Sequence, residues 1–251
     1  MKIFRSIAEW QTFRSDLKVN PLGFVPTMGA LHQGHLSLVK TSKEQNALTI
    51  VSVFINPTQF DDKKDFEKYP ADLRTDLAQL ETAGVDIVLL PDAAQIYRDD
   101  YRFKVTENDF SRRLCGAHRP GHFDGVLTVV MRLLNLVRAD HAYFGEKDYQ
   151  QLQLIRAMVS AFFMPVKIVA CVTVREADGL AMSSRNRRLD VRQRAQAAVL
   201  YAALKQSRTA AEARQLLAGQ GFEVDYVEDI ANRRLAAARL GNTRLIDNVE
   251  I

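Results

Sequence analysis

The segment Leu22–His35, LGFVPTMGALHQGH, joins a short apolar run to a segment of helical composition through a turn with two histidines. The apolar run has the composition of a buried strand. Gly29 and Gly34 permit tight turning and close approach of a ligand to the main chain. The first turn of a helix has unpaired N–H groups and a partial positive charge, so it attracts phosphate. The segment therefore predicts a strand–turn–helix unit in which His32 and His35 face a bound anion. The alternative is a turn with two surface or zinc-binding histidines, although no cysteine lies nearby.

Continuous apolar runs alternate with amphipathic segments over the first 174 residues. The strand candidates are Leu22–Val25, Leu48–Ile55, Val85–Leu90, His141–Phe144 and Val166–Val174. The helix candidates are the segment that begins at Leu36, Asp72–Ala83, Asp124–Val137 and Gln150–Phe162. Alternation of strand and helix predicts an α/β fold with a Rossmann-like parallel sheet, in which ligands bind at the carboxyl ends of strands.

The composition changes after about residue 175. Alanine- and arginine-rich segments at 190–206 and 208–219 have helical composition, and Glu223–Ile230 and Thr243–Val249 are short strand candidates. We therefore expect two domains: residues 1–174 as the Rossmann-like catalytic domain and residues 175–251 as a smaller α+β domain.

The composition is that of a globular protein. Of the 251 residues, 47% are hydrophobic and 25% charged, and no apolar run approaches the roughly 20 residues of a membrane helix. The N-terminal residues lack a signal-peptide pattern, and the two cysteines lack a pairing pattern, which favours a cytoplasmic protein with reduced thiols. The net charge is +4, with arginines clustered at 185–194. No aromatic residues alternate with them, so a triphosphate is favoured over nucleic acid.

Polar residues follow three of the strand candidates. Asn56–Phe60 (NPTQF) places amides after one strand, although an Asn-Pro turn is the alternative. Gly145–Gln151 (GEKDYQQ) places a lysine at a helix start, where the helix dipole disfavours it unless an anion compensates. The alternative there is an exposed lysine beside Asp148 as the helix cap. Met182–Asn186 (MSSRN) supplies hydroxyls and a guanidinium that can wrap phosphate, and Arg119–Gly125 (RPGHFDG) opens another helix.

Taken together, seven segments in order closely resemble the pantoate–β-alanine ligase (pantothenate synthetase) family, within the HIGH-motif nucleotidyl-transferase superfamily. They are PTMGALHQGH, FINPTQF, YPADLRTDL, RPGHFDGV, FGEKDYQQL, VREADGLAMSSRN and RLIDN. MSSRN resembles the superfamily's KMSKS loop, and the C-terminal domain resembles the lid that carries it.

This resemblance implies a two-step reaction. Pantoate attacks the α-phosphorus of ATP, which gives pantoyl adenylate and pyrophosphate. The amine of β-alanine then attacks the acyl carbon and releases pantothenate and AMP. The resemblance also implies Mg²⁺ with the triphosphate, and a homodimer that acts on small molecules without nucleic acid or membrane.

The resemblance assigns roles to individual residues. His32, His35, Lys147 and Arg185 are the expected catalytic residues. The expected ATP-binding residues are Met28, Gly29, Ala30, Leu31, His32, Gln33, Gly34, His35, Gly145, Glu146, Lys147, Asp148, Val174, Met182, Ser183, Ser184 and Arg185. Gln59, Gln151, Asn56 and Arg119 are expected to bind pantoate or β-alanine. Asp76 is the candidate for a protein contact to Mg²⁺.

Two departures from the family pattern stand out. Thr58 replaces a residue that is usually bulky and apolar, and the region after Asp190 is expected to be shorter than is typical.

Three other functions are open: a nucleotidyl transferase that stops after nucleotide transfer, an RNA-binding fragment related to synthetases, and a non-catalytic nucleotide-binding module. The release of AMP only with pantoate, β-alanine and ATP together would separate these.

Overall fold

The computed structural model describes residues 1–61, 63–67, 69, 70 and 72–251, with only the main chain of residues 63 and 64. Ala71, within the YPADLRTDL segment, lies outside the described residues. The chain forms two compact units. The larger comprises Met1–Gly145 and Gln150–Cys171, and the smaller comprises Glu146–Tyr149 and Val172–Ile251. The compact units therefore divide after Cys171, and Glu146–Tyr149 belongs to the smaller one.

A parallel sheet of six strands forms the centre of the larger unit. The strands are β1 (Lys2–Phe4), β2 (Leu22–Thr27), β3 (Leu48–Val53), β4 (Ile87–Leu89), β5 (His141–Gly145) and β6 (Lys167–Cys171). Their order is β1-β4-β3-β2-β5-β6, and all neighbouring pairs are parallel. The predicted parallel α/β fold is confirmed.

Helices connect the strands of this sheet. They are α1 (Ile7–Asp16), α2 (Gln33–Gln45), α3 (Lys63–Glu67), α4 (Leu73–Thr82), α5 (Ala93–Ile96), α6 (Cys115–His118), α7 (His122–Val137) and α8 (Tyr149–Ala161). Short 3-10 turns occupy Pro57–Gln59, Phe110–Arg112 and Glu146–Asp148. The apolar periodicity of residues 124–137 and 150–162 thus forms helices close to the predicted bounds.

The strand order reverses at β2, which lies between β3 and β5. Ligands of open parallel sheets bind outside the carboxyl ends of strands at such a switch point. β2 and β3 end in register, because Thr27 pairs with Val53, and the main-chain N–H of Phe54 donates to the carbonyl of Thr27. The turns that follow β2 and β3 therefore leave the same edge of the sheet.

Buried aliphatic residues of β2, β3 and β4 pack against α2 and α4. Val25, Val51 and Val88 are at most 1% exposed and share one cluster with Val39 and Leu80. Burying such side chains stabilises the fold by about 1.5–3 kcal/mol each. This core fixes the sheet edge from which the polar turns project.

The smaller unit contains a three-stranded antiparallel sheet and three α-helices in its described residues. The helices are α9 (Val191–Ala197), α10 (Val199–Gln206) and α11 (Ala210–Gly219), and a 3-10 turn spans Ser184–Arg188. The strands are β7 (Glu223–Ile230), β8 (Arg233–Leu240) and β9 (Thr243–Glu250), in the order β7-β8-β9. Leu200, Leu204 and Leu217 of the helices pack on Ala236 and Leu245 of the sheet. The predicted smaller α+β region is confirmed.

Several elements differ from the sequence expectations. The central strand β8 and the first strand β1 were not predicted, and the expected helix at 190–206 is divided into α9 and α10. The sequence of β8, RRLAAARL, favours helix by composition. In the structure Ala236, Ala237 and Ala238 are at most 1% exposed between two partner strands, so burial and pairing override propensity. The strand expected at 166–174 ends at Cys171.

Candidate active site

The two histidines form a capping box at the start of α2, with His32 as the N-cap residue and His35 in the first turn of the helix. Nδ1 of His32 accepts a hydrogen bond from the N–H of Gly34 at 3.1 Å, and Nδ1 of His35 accepts one from the N–H of His32 at 3.3 Å. The ring centroids are 4.1 Å apart. Because a backbone N–H can only donate, each Nδ1 is unprotonated in the neutral ring and Nε2 carries the hydrogen. The turn therefore presents two imidazole N–H groups that are suited to an anion.

Asp76, on α4, holds the turn that carries the histidines. Its carboxylate is buried, and it accepts the N–H of Ala30 at 2.9 Å and that of Leu31 at 2.8 Å. Gly29 has a φ of +78°, and a Cβ there would stand 2.8 Å from Oδ2 of Asp76. Glycine is thus required both by the backbone conformation and by the close approach of the carboxylate. Asp76, the candidate for a metal contact, therefore accepts hydrogen bonds from the main chain of the turn in this structure.

The turn after β3 contains a dense amide and hydroxyl network. Asn56 is 1% exposed, and its Nδ2 donates to Oε1 of Gln59 at 3.0 Å and to the carbonyl of Gly125 at 3.2 Å. Its Oδ1 accepts from the hydroxyl of Tyr97 at 2.5 Å and from Oγ1 of Thr58 at 3.0 Å. Asn56 therefore orients the half-buried Gln59, and the unusual Thr58 is part of that network.

Tyr97 was not identified from the sequence. Burial raises the pKa of Tyr97 to about 12, against a smaller opposing effect of its hydrogen bond with Thr58. The hydroxyl thus keeps its proton at neutral pH and donates to Asn56. Its position 41 residues from Asn56 gives no local signal that could have identified it.

Arg119, just before α7, and His122, the first residue of α7, both contact the main-chain carbonyl of Gln59. Nδ1 of His122 contacts the carbonyl of Gln59 at 2.8 Å, and the guanidinium of Arg119 reaches that oxygen at 3.3 Å and Nε2 of His122 at 3.1 Å. A carbonyl can only accept and a guanidinium can only donate, so His122 is the Nδ1–H tautomer. A Cβ on Gly125 would lie 2.3 Å from the carbonyl of Thr58, so only glycine permits this approach.

Arg119 also pairs with Asp61 at 2.8 Å. Burial alone would raise the pKa of Asp61, but the hydrogen bond and the charge of Arg119 outweigh burial, and the pKa lies below its usual value. The expected substrate residue Arg119 thus has an ion pair and a main-chain partner within its own unit. The sequence indicated Arg119 as a substrate-binding candidate and His122 as a histidine near the same helix start, without a role for His122.

Adjacent glutamines at the start of α8 have different environments. Gln150 is 3% exposed, accepts the N–H of Cys115 and donates to the carbonyls of Phe110 and Arg113. It therefore fixes the segment before α7. Gln151, the predicted substrate residue, is half-buried and lies on a different side of the helix turn.

The segment from Glu146 to Tyr149 follows β5 directly and belongs to the smaller unit. Nζ of Lys147 lies 3.7 Å from Oδ2 of Asp148, and the lysine side chain is 19% exposed. The main-chain carbonyls of Glu146 and Lys147 accept hydrogen bonds from Nδ2 of Asn248 at 2.9 and 3.1 Å. Lys147 is thus anchored through its backbone, with its ammonium group at the end of a long side chain.

The turn with two serines and an arginine lies in the same unit. Ser183 caps the 3-10 turn by accepting the N–H of Arg185 at 3.3 Å, and Ser184 is buried. The N–H of Met182 donates to the carbonyl of Val174 at 3.0 Å, and Arg175 pairs with Ala181 as an isolated bridge. The predicted ATP-binding residues of 145–148, 174 and 182–185 therefore share the smaller unit, except for Gly145 at the end of β5.

Among the described residues, no cluster of three or more His, Cys, Asp or Glu side chains could hold a metal ion. No helix in the described part of the chain is long and apolar enough to cross a membrane.

Comparison with known proteins identifies the family. A family model described as pantoate-beta-alanine ligase matches residues 2–250. The chain belongs to the pantoate–β-alanine ligase family. Among curated members, a pantothenate synthetase of Bdellovibrio bacteriovorus is 54% identical over 250 residues, with 100% of this chain and 99% of that protein covered. A pantothenate synthetase of Legionella pneumophila is 48% identical over 249 residues, with 99% of each covered.

Solved structures of the pantoate–β-alanine ligase family have the same fold. The ligase from Francisella tularensis, complexed with beta-gamma ATP and beta-alanine, has a TM-score of 0.95 and 39% identity over 100% of this chain and 97% of that one. A pantothenate synthetase from Thermus thermophilus has a TM-score of 0.91 and 41% identity, with 100% and 99% covered. The predicted family, fold class and activity, ATP-dependent ligation of pantoate and β-alanine, are therefore confirmed. The chain covers 99% of each of these two curated members, so the shortening expected after Asp190 is not seen relative to them.

Proposed function

We propose that this chain condenses pantoate with β-alanine at a site built from the turns described above. In the first step a carboxylate oxygen of pantoate bonds to the α-phosphorus of ATP, and the bond to the departing pyrophosphate breaks. In the second, the amine nitrogen of β-alanine bonds to the acyl carbon, AMP leaves with the electron pair of the C–O bond, and the amine loses a proton. The observation that carries the proposal is the pair of histidines at the switch point whose Nδ1 atoms accept main-chain N–H groups.

His32 and His35 would stabilise the charge that develops on the phosphate oxygens during adenylation. Positioned donors of this kind contribute most where charge is larger in the transition state than in the ground state. Their rings are held in place by hydrogen bonds to Nδ1 and by Asp76 beneath the turn, so little reorganisation is needed. Met28, Gly29, Gln33 and Gly34 would line the nucleotide on the same turn.

The segments of the smaller unit would bind the remainder of ATP. Lys147, Ser183, Ser184 and Arg185 would contact phosphate oxygens, and the acceptor Asp148 would receive hydrogen bonds from the ribose hydroxyls. The main chains of Gly145 and Val174 would flank the adenosine, next to Glu146 and Met182. The related Francisella tularensis ligase is described with beta-gamma ATP and beta-alanine, which supports both as ligands here.

Gln59 and Gln151 would hold the hydroxyl and the carboxylate of pantoate. Their amides are neutral, so they orient the nucleophilic carboxylate without lowering its reactivity through a strong ion pair. Asn56 and Arg119 contact Gln59 itself, so we assign them to orienting that residue within the substrate pocket.

Mg²⁺ would enter with ATP, bound mainly through phosphate oxygens and water, as is usual for this ion. The hard oxygen of a carboxylate suits Mg²⁺, and Asp76 is the candidate for a protein contact. Both of its oxygens accept main-chain N–H groups, which favours the supporting role and leaves only their second lone pairs for an ion.

We also propose a cytoplasmic homodimer that binds no nucleic acid or membrane. The two cysteines, Cys115 and Cys171, are both buried thiols, which suits a reducing compartment. Light scattering of the purified protein tests the dimer directly: a monomer mass at micromolar concentration would contradict it.

An AMP-release assay with each substrate omitted in turn tests the proposed function. AMP should accumulate only with ATP, pantoate and β-alanine together, and pyrophosphate should be released with ATP and pantoate in a single turnover. AMP formation that does not require β-alanine would contradict the two-step ligase. ATP binding without turnover under any combination would instead favour a non-catalytic nucleotide-binding protein.

A further inference from the structure

The terminal RLIDN segment lies in β9, and the proposed reaction gives it no role. Asn248, its last residue, is 4% exposed. Its Nδ2 donates to the carbonyls of both Glu146 and Lys147, at 2.9 and 3.1 Å. Its Oδ1 accepts a hydrogen bond from Arg233 at 2.6 Å. Every polar atom of this side chain therefore has a protein partner, and two of its three bonds end on the backbone of the Lys147 segment.

Arg233, near the start of β8, reinforces this attachment. Its guanidinium pairs with Oε2 of Glu146 at 3.1 Å and lies 4.8 Å from the centroid of the Tyr149 ring. The segment is thus bound through the side chain of Glu146, two main-chain carbonyls and a cation–π contact. The hydrogen bonds span 87 to 102 residues of sequence, so they fix the segment to the sheet of the smaller unit rather than to its chain neighbours.

Asp247, the neighbour of Asn248, holds a second segment. Its carboxylate accepts two bonds from Arg175, at 2.6 and 3.0 Å. Arg175 in turn donates to the carbonyl of Gly179 at 3.1 Å and stacks 3.8 Å from the ring centroid of Tyr201. Because Arg175 pairs with Ala181, the ion pair fixes the turn that leads directly to the serines and the arginine at 183–185.

We propose that Asn248 is a positioning residue for ATP, acting through Lys147, and that Asp247 and Asn248 together align the two segments that bind phosphate. This rests on the proposed phosphate contacts of Lys147 and of residues 183–185. A lysine reaches its ligand through four rotatable bonds, so a fixed backbone limits the volume in which its ammonium group moves. The amide of Asn248 also donates to two main-chain carbonyls, and these hydrogen bonds fix the orientation of the two peptide groups.

The test uses the substitution Asn248→Asp. Aspartate has nearly the same shape and keeps an acceptor for Arg233, but it replaces the donating NH₂ with an oxygen that faces two carbonyls. We expect the KM for ATP to rise about tenfold, which corresponds to about 1.4 kcal/mol of lost binding free energy and is the size of a weakened hydrogen bond to a charged group. The KM for pantoate and the reaction of preformed pantoyl adenylate with β-alanine should change less than twofold. The exposed Asn232→Asp makes the same charge change in the turn between β7 and β8 and should leave all three parameters unchanged.

A double-mutant cycle with Lys147→Ala separates positioning from a general loss of structure. If Asn248 acts through Lys147, Asn248→Asp should add little to the loss already caused by Lys147→Ala. Additive losses, or equal losses for ATP and for preformed adenylate, would overturn the positioning role of Asn248 and leave the phosphate contact of Lys147 standing. A Lys147→Ala variant with normal use of ATP would overturn the phosphate contact of Lys147 and the inference with it.

Arg233→Met provides a second variant in case Asn248→Asp does not fold. It removes the bonds from Arg233 to Glu146 and to Oδ1 of Asn248, and it keeps the NH₂ group of Asn248 that donates to the two carbonyls. It should raise the KM for ATP by a smaller factor, with the same lack of effect on preformed adenylate. If both variants are unfolded at the assay temperature, the two residues serve folding, and the proposal is overturned.

Discussion

The turn with two histidines and the segments of the smaller unit are both proposed to bind phosphate, but they are held in opposite ways. Asp76 accepts main-chain N–H groups of the turn. Asn248 and Arg175 instead donate to main-chain carbonyls. The support of the turn is anionic, and those of the smaller unit are an amide and a paired guanidinium. In the turn the proposed donors to phosphate are the Nε2–H groups of the imidazoles. The smaller unit instead contributes the charged side chains of lysine and arginine.

The largest expected effect concerns the histidines. His35→Ala or His32→Ala should lower the rate of adenylate formation by about a hundredfold or more, because each removes a donor to the charge of the transition state. Single-turnover release of pyrophosphate measures this rate, and thermal melting checks the fold. His118→Ala, at an exposed position, is the matched control. Near-normal activity of a cooperatively folded His32 or His35 variant would remove the turn from the site.

Arg185 tests the smaller unit in the same way. Arg185→Ala should slow adenylation by about tenfold to a hundredfold, since a lost hydrogen bond to a charged group costs about 1.5–3 kcal/mol. The reaction of preformed pantoyl adenylate should be less affected, because no pyrophosphate is then present. We also expect the Ser183–Arg185 turn to become more ordered with ATP, Mg²⁺ and pantoate, as measured by hydrogen exchange. Equal losses in both half-reactions would mean that Arg185 positions the adenylate instead.

Asp76 is the residue that supports the turn with the two histidines. Asp76→Asn replaces one accepting oxygen by an NH₂ group, so that a donor faces the N–H of Ala30 or Leu31. We expect a loss of about 1–3 kcal/mol in the free energy of unfolding and an adenylation rate about tenfold lower. Denaturant titration and single-turnover assays measure these, with Asp16→Asn on the surface of α1 as control. Unchanged stability together with a lost response to Mg²⁺ would identify Asp76 as a metal contact instead.

A third polar turn, after β3, is proposed to bind pantoate rather than phosphate. Gln59→Leu and Gln151→Leu should weaken the use of pantoate about tenfold, because a lost hydrogen bond to a buried substrate group costs about 1–3 kcal/mol. ATP binding should change little. Isothermal titration with each ligand measures both affinities, and equal losses for ATP and pantoate would contradict this division of the site.

The smallest effect concerns the pH dependence of the network behind Gln59. The pKa of Tyr97 is raised to about 12, above its ordinary value of about 10. A raised pKa means that the folded state holds this proton more tightly, so its contribution is complete below about pH 10 and is lost as the pH rises through 12. Between these values the free energy of unfolding should fall more steeply for the wild type than for Tyr97→Phe. Parallel curves from denaturant titrations would show that Tyr97 does not contribute in this way.

Local pattern was sufficient for much of the fold and for the candidate segments. The apolar runs of β2 and β3 and the periodicity of α7 and α8 are properties of neighbouring residues, and each formed the predicted element. β8 was missed because alanine and arginine favour helix in isolation, and only its pairing with β7 and β9 makes it a strand. Adjacent glutamines 150 and 151 look alike in sequence, and only the packing of α8 against the segment near Cys115 separates them.

The sequence by itself determined that a glycine turn with two histidines follows a buried strand, and the order of its motifs determined the family. These are local signals, set by backbone freedom, capping and periodicity. Only the tertiary structure decided which side chains support the site. Asp76 reaches the turn across 46 residues, and Asn248 reaches Glu146 across 102. Such contacts depend on the register and order of strands, which bring distant residues within the 3 Å or so of a hydrogen bond, and no neighbouring residue records that distance.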